Sequence, residues 1–401
     1  MHRKIQSKSF IFLLIVLLLF SLIGPVYAED KPAFAASLPF DVEAEAALLM
    51  EADTGSILYE KNIDTPLPPA SITKMMTLLL VFEAIEAGRA SLDDVIVVSE
   101  NAWRMQGSQM YLEIGQEVTL KELVQGISII SANDACVAVA EYLSGSEALF
   151  VQKMNEKARA LGMTSTNFEN SSGWPAAGHY MSARDIVILS REIIINHPEI
   201  LKYESQREYT FNNIKQYNQN PLLGNYTGAD GMKTGWTEEA GYCLAGTAVQ
   251  NEMRLISVVL NTESKKKRLD ISRQLLDYGF RNFKTKILLT PEDIAGEIPV
   301  KKGKKRTLQV TVASPLKTVL PANPEPEVEL KIIGNNIEAP LAKGDVAGIV
   351  QVQVDGKVIR ESELVAAENI ARANIFLRGF RSIVDLIGIA FQRISRSLWN
   401  G

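Results

Sequence analysis

Residues that hold metal ions are scarce in this sequence. It has three histidines in 401 residues, and His2 lies in a segment that we expect to be removed. His179 and His197 show no metal-ligand spacing with each other or with a cysteine. A zinc peptidase needs a closer cluster of His, Asp or Glu ligands. We therefore expect no metal ion and no other cofactor.

The sequence also has few cysteines and no excess of positive charge. Cys136 and Cys243 are too few for a disulfide framework in a chain of this length, so we expect buried free thiols. The formal net charge is −5, so no overall basic field exists to attract the phosphates of a nucleic acid. With 46% apolar residues, the chain is otherwise an ordinary globular sequence, long enough for more than one domain.

The first 28 residues have the pattern of a secretory signal peptide. Arg3, Lys4 and Lys8 form a basic start, and an apolar run follows over residues 10–23. The run is short for a membrane span. It is followed by small residues, ending at Ala28, at the positions that a signal peptidase recognises. We expect cleavage of residues 1–28, so that the mature protein is exported. An uncleaved N-terminal anchor is the alternative.

The middle of the sequence predicts two domains. Over residues 38–285, strand-like segments at both ends enclose stretches with helical periodicity, the clearest over residues 72–87. This pattern predicts an α/β (α+β) domain, with an antiparallel sheet flanked by helices. Residues 291–365 instead contain short apolar or alternating segments separated by Pro, Gly and Asn, which is typical of a second, small all-β domain.

The last segment, residues 374–401, predicts an amphipathic helix. Its apolar stripe, at steps of three and four, consists of Phe376, Phe380, Ile383, Ile387, Phe391, Ile394 and Leu398. Arginines recur along the segment, which is unlike a membrane-spanning helix. We expect this helix to lie in the headgroup region, on the outer face of the cytoplasmic membrane. A helix packed on the protein's own core is the alternative.

Three short motifs carry the candidate chemistry. Ser71 and Lys74 form an S-x-x-K pattern at the start of the predicted helix, where one turn brings an amine to a hydroxyl. Ser131 and Asn133 form an S-x-N pattern in a corner between two predicted helices. Residues 233–235 are the only K-T-G in the chain and fall in a predicted strand, where the glycine leaves room for a peptide.

The first two patterns also occur elsewhere. The other copies begin at Ser264 and Ser314 for S-x-x-K and at Ser99 and Ser165 for S-x-N. Among the S-x-x-K copies, the one at Ser71 begins a long helix with an apolar face, where free backbone N–H groups and the positive helix end face a developing anion. The purely structural alternatives are an N-cap at Ser71 and local turn capping by Ser131 and Asn133.

The ordered set of motifs resembles the signature of the penicillin-recognising serine enzymes. Longer phrases are similar to the low-molecular-mass D-alanyl-D-alanine carboxypeptidases, a family of penicillin-binding proteins. They are P-A-S-I-T-K-M at residues 69–75, H-Y-M-S-A-R-D at residues 179–185 and D-G-M-K-T-G at residues 230–235. The similarity spans about residues 38–285 and extends to the β-rich domain and the terminal anchor, which that family commonly has.

The resemblance implies a serine carboxypeptidase that removes the terminal D-alanine from peptidoglycan stem pentapeptides and is acylated by β-lactam antibiotics. It implies that Ser71 is the acylated nucleophile and that Lys74, as a neutral amine, is its base. By the same resemblance, Ser131 relays a proton to the departing D-alanine and Asn133 holds the substrate amide.

The resemblance also implies how the substrate is bound. Lys233 and Thr234 would receive its terminal carboxylate, and Gly235 would let the peptide lie along the strand. The backbone N–H groups of Ser71 and Trp236 would form the oxyanion hole. Arg254, on the strand after K-T-G, is a second candidate for the carboxylate, with an ordinary surface arginine as the alternative.

Competing functions are a β-lactamase, a D,D-endopeptidase and a non-catalytic wall-binding protein. The β-rich domain and the terminal helix count against a β-lactamase, as does the lack of an evident E-x-x-L-N loop between Asn133 and Lys233. An endopeptidase would use the same site and differ only in its leaving group. Binding alone would need no nucleophile–base pair. The partners that we expect are stem peptides, β-lactams and a membrane surface, without nucleic acid.

Overall fold

The computed structural model describes residues 40–376, and the chain divides into two compact units between Asn282 and Phe283. Each unit has its own buried apolar core. The predicted signal peptide lies outside the described residues, as does the predicted terminal helix apart from residues 374–376. Within the described range, no helix is both long and apolar enough to cross a membrane.

The first unit is built on a five-stranded antiparallel sheet. The strands of this unit are β1 (Ala46–Glu51), β2 (Ile57–Lys61), β3 (Val95–Val97), β4 (Glu117–Thr119), β5 (Glu208–Phe211), β6 (Ile214–Tyr217), β7 (Ala229–Thr237), β8 (Gly241–Gln250) and β9 (Met253–Thr262). The sheet order is β2-β1-β9-β8-β7, and β3–β4 and β5–β6 are separate pairs. Asn251 and Glu252 join β8 to β9 with positive φ angles of 48° and 62°, as a tight hairpin turn requires. Because β7 comes last in the sheet order, it is an edge strand.

Helices surround this sheet. They are α1 (Lys74–Glu86), α2 (Glu100–Trp103), α3 (Leu120–Gln125), α4 (Asn133–Ser144), α5 (Glu147–Ala160), α6 (Ala183–Asn196), α7 (Leu201–Glu204) and α8 (Lys265–Asn282). Helix α1 is buried along most of its length, from Met75 to Ala84. A helix that is apolar almost all round belongs in the interior, so α1 forms the centre of the helical layer.

The predicted helix before the S-x-N corner has an irregular second half. After α3 the chain continues as a wider π-turn over Gly126–Ile130, which ends at Ser131 in the left-handed conformation with φ 65°. A left-handed residue cannot continue the helix, so the chain changes direction before α4 begins at Asn133. The S-x-N motif therefore occupies a sharp corner.

The second unit consists of strands. They are β10 (Phe283–Leu289), β11 (Gly296–Lys301), β12 (Thr307–Val312), β13 (Leu316–Pro321), β14 (Val328–Gly334), β15 (Ile337–Glu338), β16 (Val346–Val354) and β17 (Lys357–Ala366). Six of them form a sheet in the order β14-β16-β17-β12-β11-β15, and β10 pairs with β13. The apolar positions of β12 and β16 alternate, so one face of the sheet is buried. The predicted fold class, an α/β domain followed by an all-β domain, is confirmed.

Candidate active site

Ser71 lies in a tight turn before the central helix. The sequence predicted that the helix begins at residue 72, but the α-helix begins at Lys74 and Ser71 belongs to a 3₁₀ turn over Ala70–Thr73. In a 3₁₀ turn, side chains three residues apart are nearly eclipsed. Lys74 Nζ accordingly lies 2.9 Å from Ser71 Oγ. The turn starts from Ala70 with φ 49°, a conformation that is strained for alanine.

A neighbouring loop holds this turn in place. A Cβ on Gly173 would lie only 1.9 Å from the carbonyl oxygen of Ala70, so only glycine permits the contact. The preceding residue, Ser172, offers its carbonyl oxygen to Lys74 Nζ at 2.5 Å. The side chain of Asn170 accepts the backbone N–H of Gly173 at 2.7 Å. This loop therefore positions both the nucleophile turn and the amine.

Three oxygens surround the amine of Lys74. Its Nζ lies 2.7 Å from Asn133 Oδ1 and 2.5 Å from Ser172 O, which are both acceptors, and 2.9 Å from Ser71 Oγ. An ammonium can donate to all three, and a neutral amine can donate to the two carbonyl oxygens and accept the serine O–H. Lys74 is fully buried. Burial lowers its pKa to about 8, although Cys136 and Asp134 act in the opposite direction.

The S-x-N corner contacts Lys74 through the side chain of Asn133. Asn133 Nδ2 donates to Gln106 O at 2.6 Å, so that its Oδ1 faces the amine. Ser131 is buried, and its Oγ has no hydrogen-bond partner among the described residues. A buried hydroxyl that is left unpaired costs free energy, which is typical of a functional position. The carboxylate of Asp134 accepts the backbone N–H groups of Met110 and Leu112 and fixes the corner.

The K-T-G strand lies against the nucleophile turn. A Cβ on Gly235 would be 2.5 Å from Pro69 O and 3.3 Å from the backbone nitrogen of Ser71. Glycine is therefore required for β7 to approach this closely. The next residue, Trp236, has a side chain that is 56% exposed and packs against Tyr242. Thr234 is buried beside Lys233.

Lys233 is a second buried amine. It is 1% exposed, and its ammonium makes one hydrogen bond in the described part of the chain, to Thr234 O at 3.3 Å. Burial and the charge of Lys74 together lower its pKa to about 7, with Glu204 acting in the opposite direction. Because two ammonium groups in a dry site repel each other, the site disfavours the state in which both lysines are charged.

The structure does not bring Arg254 to this group of residues. Its guanidinium forms two 2.8 Å hydrogen bonds with the carboxylate of Asp230 and a third with Thr247. The antiparallel register explains the position, because Val258 rather than Arg254 lies across β8 from Lys233. Arg254 lies four residues away, at the far end of β9. The assignment of Arg254 to the substrate carboxylate is therefore not supported.

Arg268, rather than Arg254, lies beside the K-T-G strand. This residue of α8 is buried, and its Nη1 donates to the carbonyl oxygens of Gly235 and Cys243 at 3.3 and 3.4 Å. Its Nε has no partner in the described part of the chain. No sequence motif marks Arg268, and it was given no role above. A single arginine in a mainly basic run gives no sign that it points inward.

His179 is a further residue to which the sequence analysis gave no role. Its Nδ1 accepts the backbone N–H of Glu169 at 3.3 Å, so in the neutral ring Nε2 carries the proton and donates to Thr73 Oγ1 at 2.8 Å. Burial lowers its pKa to about 4, and the charge of Lys74 adds to this. The imidazole therefore supports the nucleophile turn as a neutral hydrogen-bonding group.

Both cysteines are buried and unpaired, as predicted. Cys136 lies near Lys74, and burial raises the pKa of its thiol to about 12, so it remains protonated. One cluster has side chains of the kind that bind metals. Atoms of Glu83, Glu192 and His197 lie within 4.8 Å of one another, but Lys157 Nζ pairs with both carboxylates at 2.5 and 3.5 Å. The ammonium offsets one of the two negative charges and occupies the oxygens that a cation would use.

Two of the S-x-x-K and S-x-N copies have simple structural roles. Ser264 Oγ accepts the backbone N–H of Lys267 and caps α8, and Ser99 Oγ accepts the backbone N–H of Ala102 and caps α2. Ser71 lies inside its 3₁₀ turn, where its Oγ contacts Lys74 Nζ. The structure therefore distinguishes Ser71 from Ser264 and Ser99.

Comparison with known proteins agrees with this geometry. Residues 32–264 match the family described as D-alanyl-D-alanine carboxypeptidase, and residues 283–372 match the C-terminal domain of penicillin-binding protein 5. The chain is 40% identical over 347 residues to the D-alanyl-D-alanine carboxypeptidase DacF of Bacillus subtilis, covering 82% of this chain and 87% of that protein.

Solved structures give the same result. The structure of penicillin-binding protein 5 from Haemophilus influenzae has a TM-score of 0.79 and 36% identity, and the match covers 84% of this chain and all of that one. Penicillin-binding protein D2 of Listeria monocytogenes, solved in an ampicillin-bound form, has a TM-score of 0.56 and 34% identity over 61% of this chain and 99% of its own.

Proposed function

Because this chain belongs to the D-alanyl-D-alanine carboxypeptidase family of serine hydrolases, we propose that Ser71 removes the terminal D-alanine of peptidoglycan stem pentapeptides through an acyl-enzyme. One observation carries the assignment of roles. Lys74 Nζ lies 2.9 Å from Ser71 Oγ in a fully buried position, where burial lowers its pKa to about 8 and so favours the neutral amine that takes the serine proton.

Acylation begins when the Ser71 hydroxyl gives its proton to Lys74 and its oxygen attacks the carbonyl between the two D-alanines. The backbone N–H groups of Ser71 and Trp236 stabilise the oxyanion, supported by the close approach of β7 to the nucleophile turn. The C–N bond then breaks, and the departing amine takes a proton through Ser131. Water next attacks the ester, with Lys74 again as base, and releases the shortened peptide and free Ser71.

Substrate binding rests on a set of buried donors. Lys233, Thr234 and Arg268 bind the terminal carboxylate, because two buried cations beside an edge strand favour an anion. Asn133 has a double role. Its carbonyl oxygen positions Lys74, and its Nδ2 carries a second N–H, besides the one bonded to Gln106, for the substrate amide.

Mass spectrometry tests the reaction. The purified protein, incubated with a stem pentapeptide, should release one alanine and leave a tetrapeptide, while Ser71→Ala should release none. A cross-linked dimeric peptide, tested in parallel, identifies an endopeptidase. Release of alanine that is unchanged by Ser71→Ala would contradict the assignment of the nucleophile.

β-Lactams should acylate the same serine. The relative from Listeria was solved with ampicillin. A fluorescent penicillin should label this protein covalently, and peptide mapping should place the label on Ser71. Ser264→Ala is the matched control, since Ser264 has the same S-x-x-K spacing but caps α8. Labelling that is lost in Ser264→Ala and kept in Ser71→Ala would overturn the proposal.

We further propose that the protein is held on the outer face of the cytoplasmic membrane by residues 374–401 after removal of residues 1–28. The amphipathic pattern supports this, and Phe376, the first residue of the stripe, is 86% exposed. Deletion after Ala373 should give a soluble enzyme that retains peptidase activity. Phe380→Ser combined with Ile387→Ser and Phe391→Ser should have the same effect. Truncated protein that still sediments with membranes would refute the anchor.

A further inference from the structure

A run of basic residues in the second unit lies outside the proposed active site. Residues 301–306, K-K-G-K-K-R, have five basic side chains in six positions, and all five are exposed. This segment, the basic turn, joins β11 to β12 and is closed by the backbone N–H of Val300, which donates to Arg306 O at 2.8 Å. In a chain with a net charge of −5, such a local concentration of positive charge is a candidate site for an anionic partner.

The basic turn is hydrogen-bonded to the chain just before the proposed anchor, residues 374–401. The backbone N–H of Lys304 donates to Ala371 O, and that of Ala373 donates to Lys302 O, both at 2.8 Å. The apolar stripe of the anchor starts three residues after Ala373. Because three residues of chain span at most about 11 Å, the stripe starts within that distance of the basic turn.

A close backbone contact holds the two segments together. Gly303 and Arg372 form an antiparallel bridge between the two hydrogen bonds. A Cβ on Gly303 would lie 2.9 Å from Ile370 Cγ2, so the absence of a side chain there allows the approach. Lys302 and Arg372 both pair with Glu338, at 2.7 and 3.4 Å, and one carboxylate neutralises only one of these two charges. The basic turn and Arg372 therefore form one surface, the basic surface, beside the start of the anchor.

Positive charge is in excess on this part of the unit. Residues 301–306 and 368–374 together contain six basic residues and one acidic residue, Glu368, which pairs with Lys305. The Debye length is about 8 Å at physiological ionic strength, so charges within about 11 Å of a headgroup layer are only partly screened from it. Each lysine or arginine held near an anionic membrane strengthens binding by about five-fold.

We propose that the basic surface is a second membrane contact, which binds the anionic phospholipid headgroups around the point where the anchor enters the membrane. The proposal rests on the membrane anchoring proposed above. The apolar stripe supplies burial at the acyl boundary, and the basic surface adds electrostatic attraction and turns this end of the second unit towards the lipid. Continuity with an apolar stripe favours a membrane over a soluble anionic polymer, which would offer the stripe nothing to enter.

Vesicle binding tests the proposal with the exported form, residues 29–401. Phosphatidylcholine vesicles measure the anchor alone, and vesicles with one-third phosphatidylglycerol add an anionic surface. Lys301→Gln combined with Lys304→Gln and Arg306→Gln, the basic-turn variant, keeps the ion pairs of both glutamates. Its binding to the anionic vesicles should be about ten- to 100-fold weaker than that of the wild type, with unchanged binding to the neutral ones. At about 1 M salt, where the Debye length is about 3 Å, the difference should disappear.

The matched control combines Lys331→Gln, Lys357→Gln and Arg360→Gln, which remove the same charge from β14 and from the other end of β17. Lys357 lies nine residues before Ala366, the residue of β17 that pairs with β12, and this is about 30 Å along the strand. The control should bind both kinds of vesicle within about two-fold of the wild type. A loss in the control equal to that of the basic-turn variant would overturn the proposal, and so would a basic-turn variant that binds as the wild type does.

Glu368→Gln changes the same surface in the opposite direction. It removes the acidic partner of Lys305 and should strengthen binding to the anionic vesicles by about five-fold, without an effect on the neutral ones. Because loss of structure would not produce a gain that is confined to anionic lipid, this substitution decides the question if the basic-turn variant does not fold. An unchanged affinity for the anionic vesicles would then be the contrary result.

Deletion after Ala373 separates this proposal from the anchor. If the wild type and the truncated protein bind neutral vesicles equally, the anchor is wrong, and the basic surface is then judged by the anionic vesicles alone. A protein that binds neither kind of vesicle contradicts both proposals. Isolated cell walls provide the remaining comparison. A basic-turn variant that loses binding to walls and keeps its binding to anionic vesicles would assign the surface to an anionic wall polymer and refute the lipid contact.

Discussion

The two units of this protein differ in what they bury. In residues 40–282, Lys74, Lys233, Glu204 and Arg268 are all buried, together with an unpaired serine hydroxyl at Ser131. In residues 283–376, the buried polar side chains are those of Thr311 and Thr318, within an otherwise apolar core. Both units are well packed, so packing alone does not distinguish them.

The difference shows where folding stability is reduced by groups that serve catalysis. Buried charges are costly unless they are paired, and three of those in the first unit, Lys74, Lys233 and Arg268, lie around the nucleophile turn and the K-T-G strand. Perturbed pKa values at such a cluster mark a functional site, whereas the core of the second unit contributes only stability. Substitutions in each unit test this difference.

The largest effect is expected for Lys74→Met, which nearly conserves volume in a fully buried position. Loss of the base should slow acylation by about 10³-fold, while circular dichroism and the unfolding midpoint show a folded protein. The rate constant for acylation by a penicillin is the measurement. Acylation within ten-fold of the wild type would show that Lys74 is not the base.

A smaller effect should separate the two candidate arginines. Arg268→Gln removes a charge beside Gly235 and should raise KM for a pentapeptide by about 10- to 100-fold, the value of a charge-assisted hydrogen bond. Arg254→Gln breaks the pair with Asp230, and KM should stay within about two-fold. Equal increases in KM would restore the assignment to Arg254.

The third effect concerns stability at acid pH. His179 has a pKa lowered to about 4, so between that pH and its ordinary value of about 6.5 the unfolded chain binds a proton that the folded chain does not. Stability should therefore fall as the pH falls through this window, by about 2 kcal/mol between pH 7 and pH 5 from this residue. Urea unfolding of the wild type and of His179→Asn should show the difference, and equal losses in both would contradict it.

The smallest effect on activity is expected in the second unit. Val350→Ala removes two methyl groups from the centre of its core and should destabilise that unit by about 1–2 kcal/mol. The acylation rate should not change, because the proposed site residues all belong to the first unit. Slower acylation in a Val350→Ala protein that is still fully folded would show that the second unit contributes to the chemistry.

Local pattern predicted most of the elements. The strand-like segments at both ends of residues 38–285 and the helical stretch near residues 72–87 follow from periodicity, since short-range patterns determine them. The start of α1 was placed two residues early, because the strained turn at Ala70 depends on Gly173, about a hundred residues further along the chain. The π-turn before Ser131 likewise has no signal in the local sequence.

By itself, the sequence determined the fold class, the two-unit order and the three motifs, because hydrophobic periodicity and motif spacing are local properties of the chain. Tertiary structure alone decided which charges face inward. Arg268 lies under Gly235 and Arg254 does not because strand register, which spans the whole sheet, determines which residues lie side by side. The burial of Glu204 against Gly231 has the same origin, since the low dielectric that perturbs a pKa exists only after distant segments have packed together.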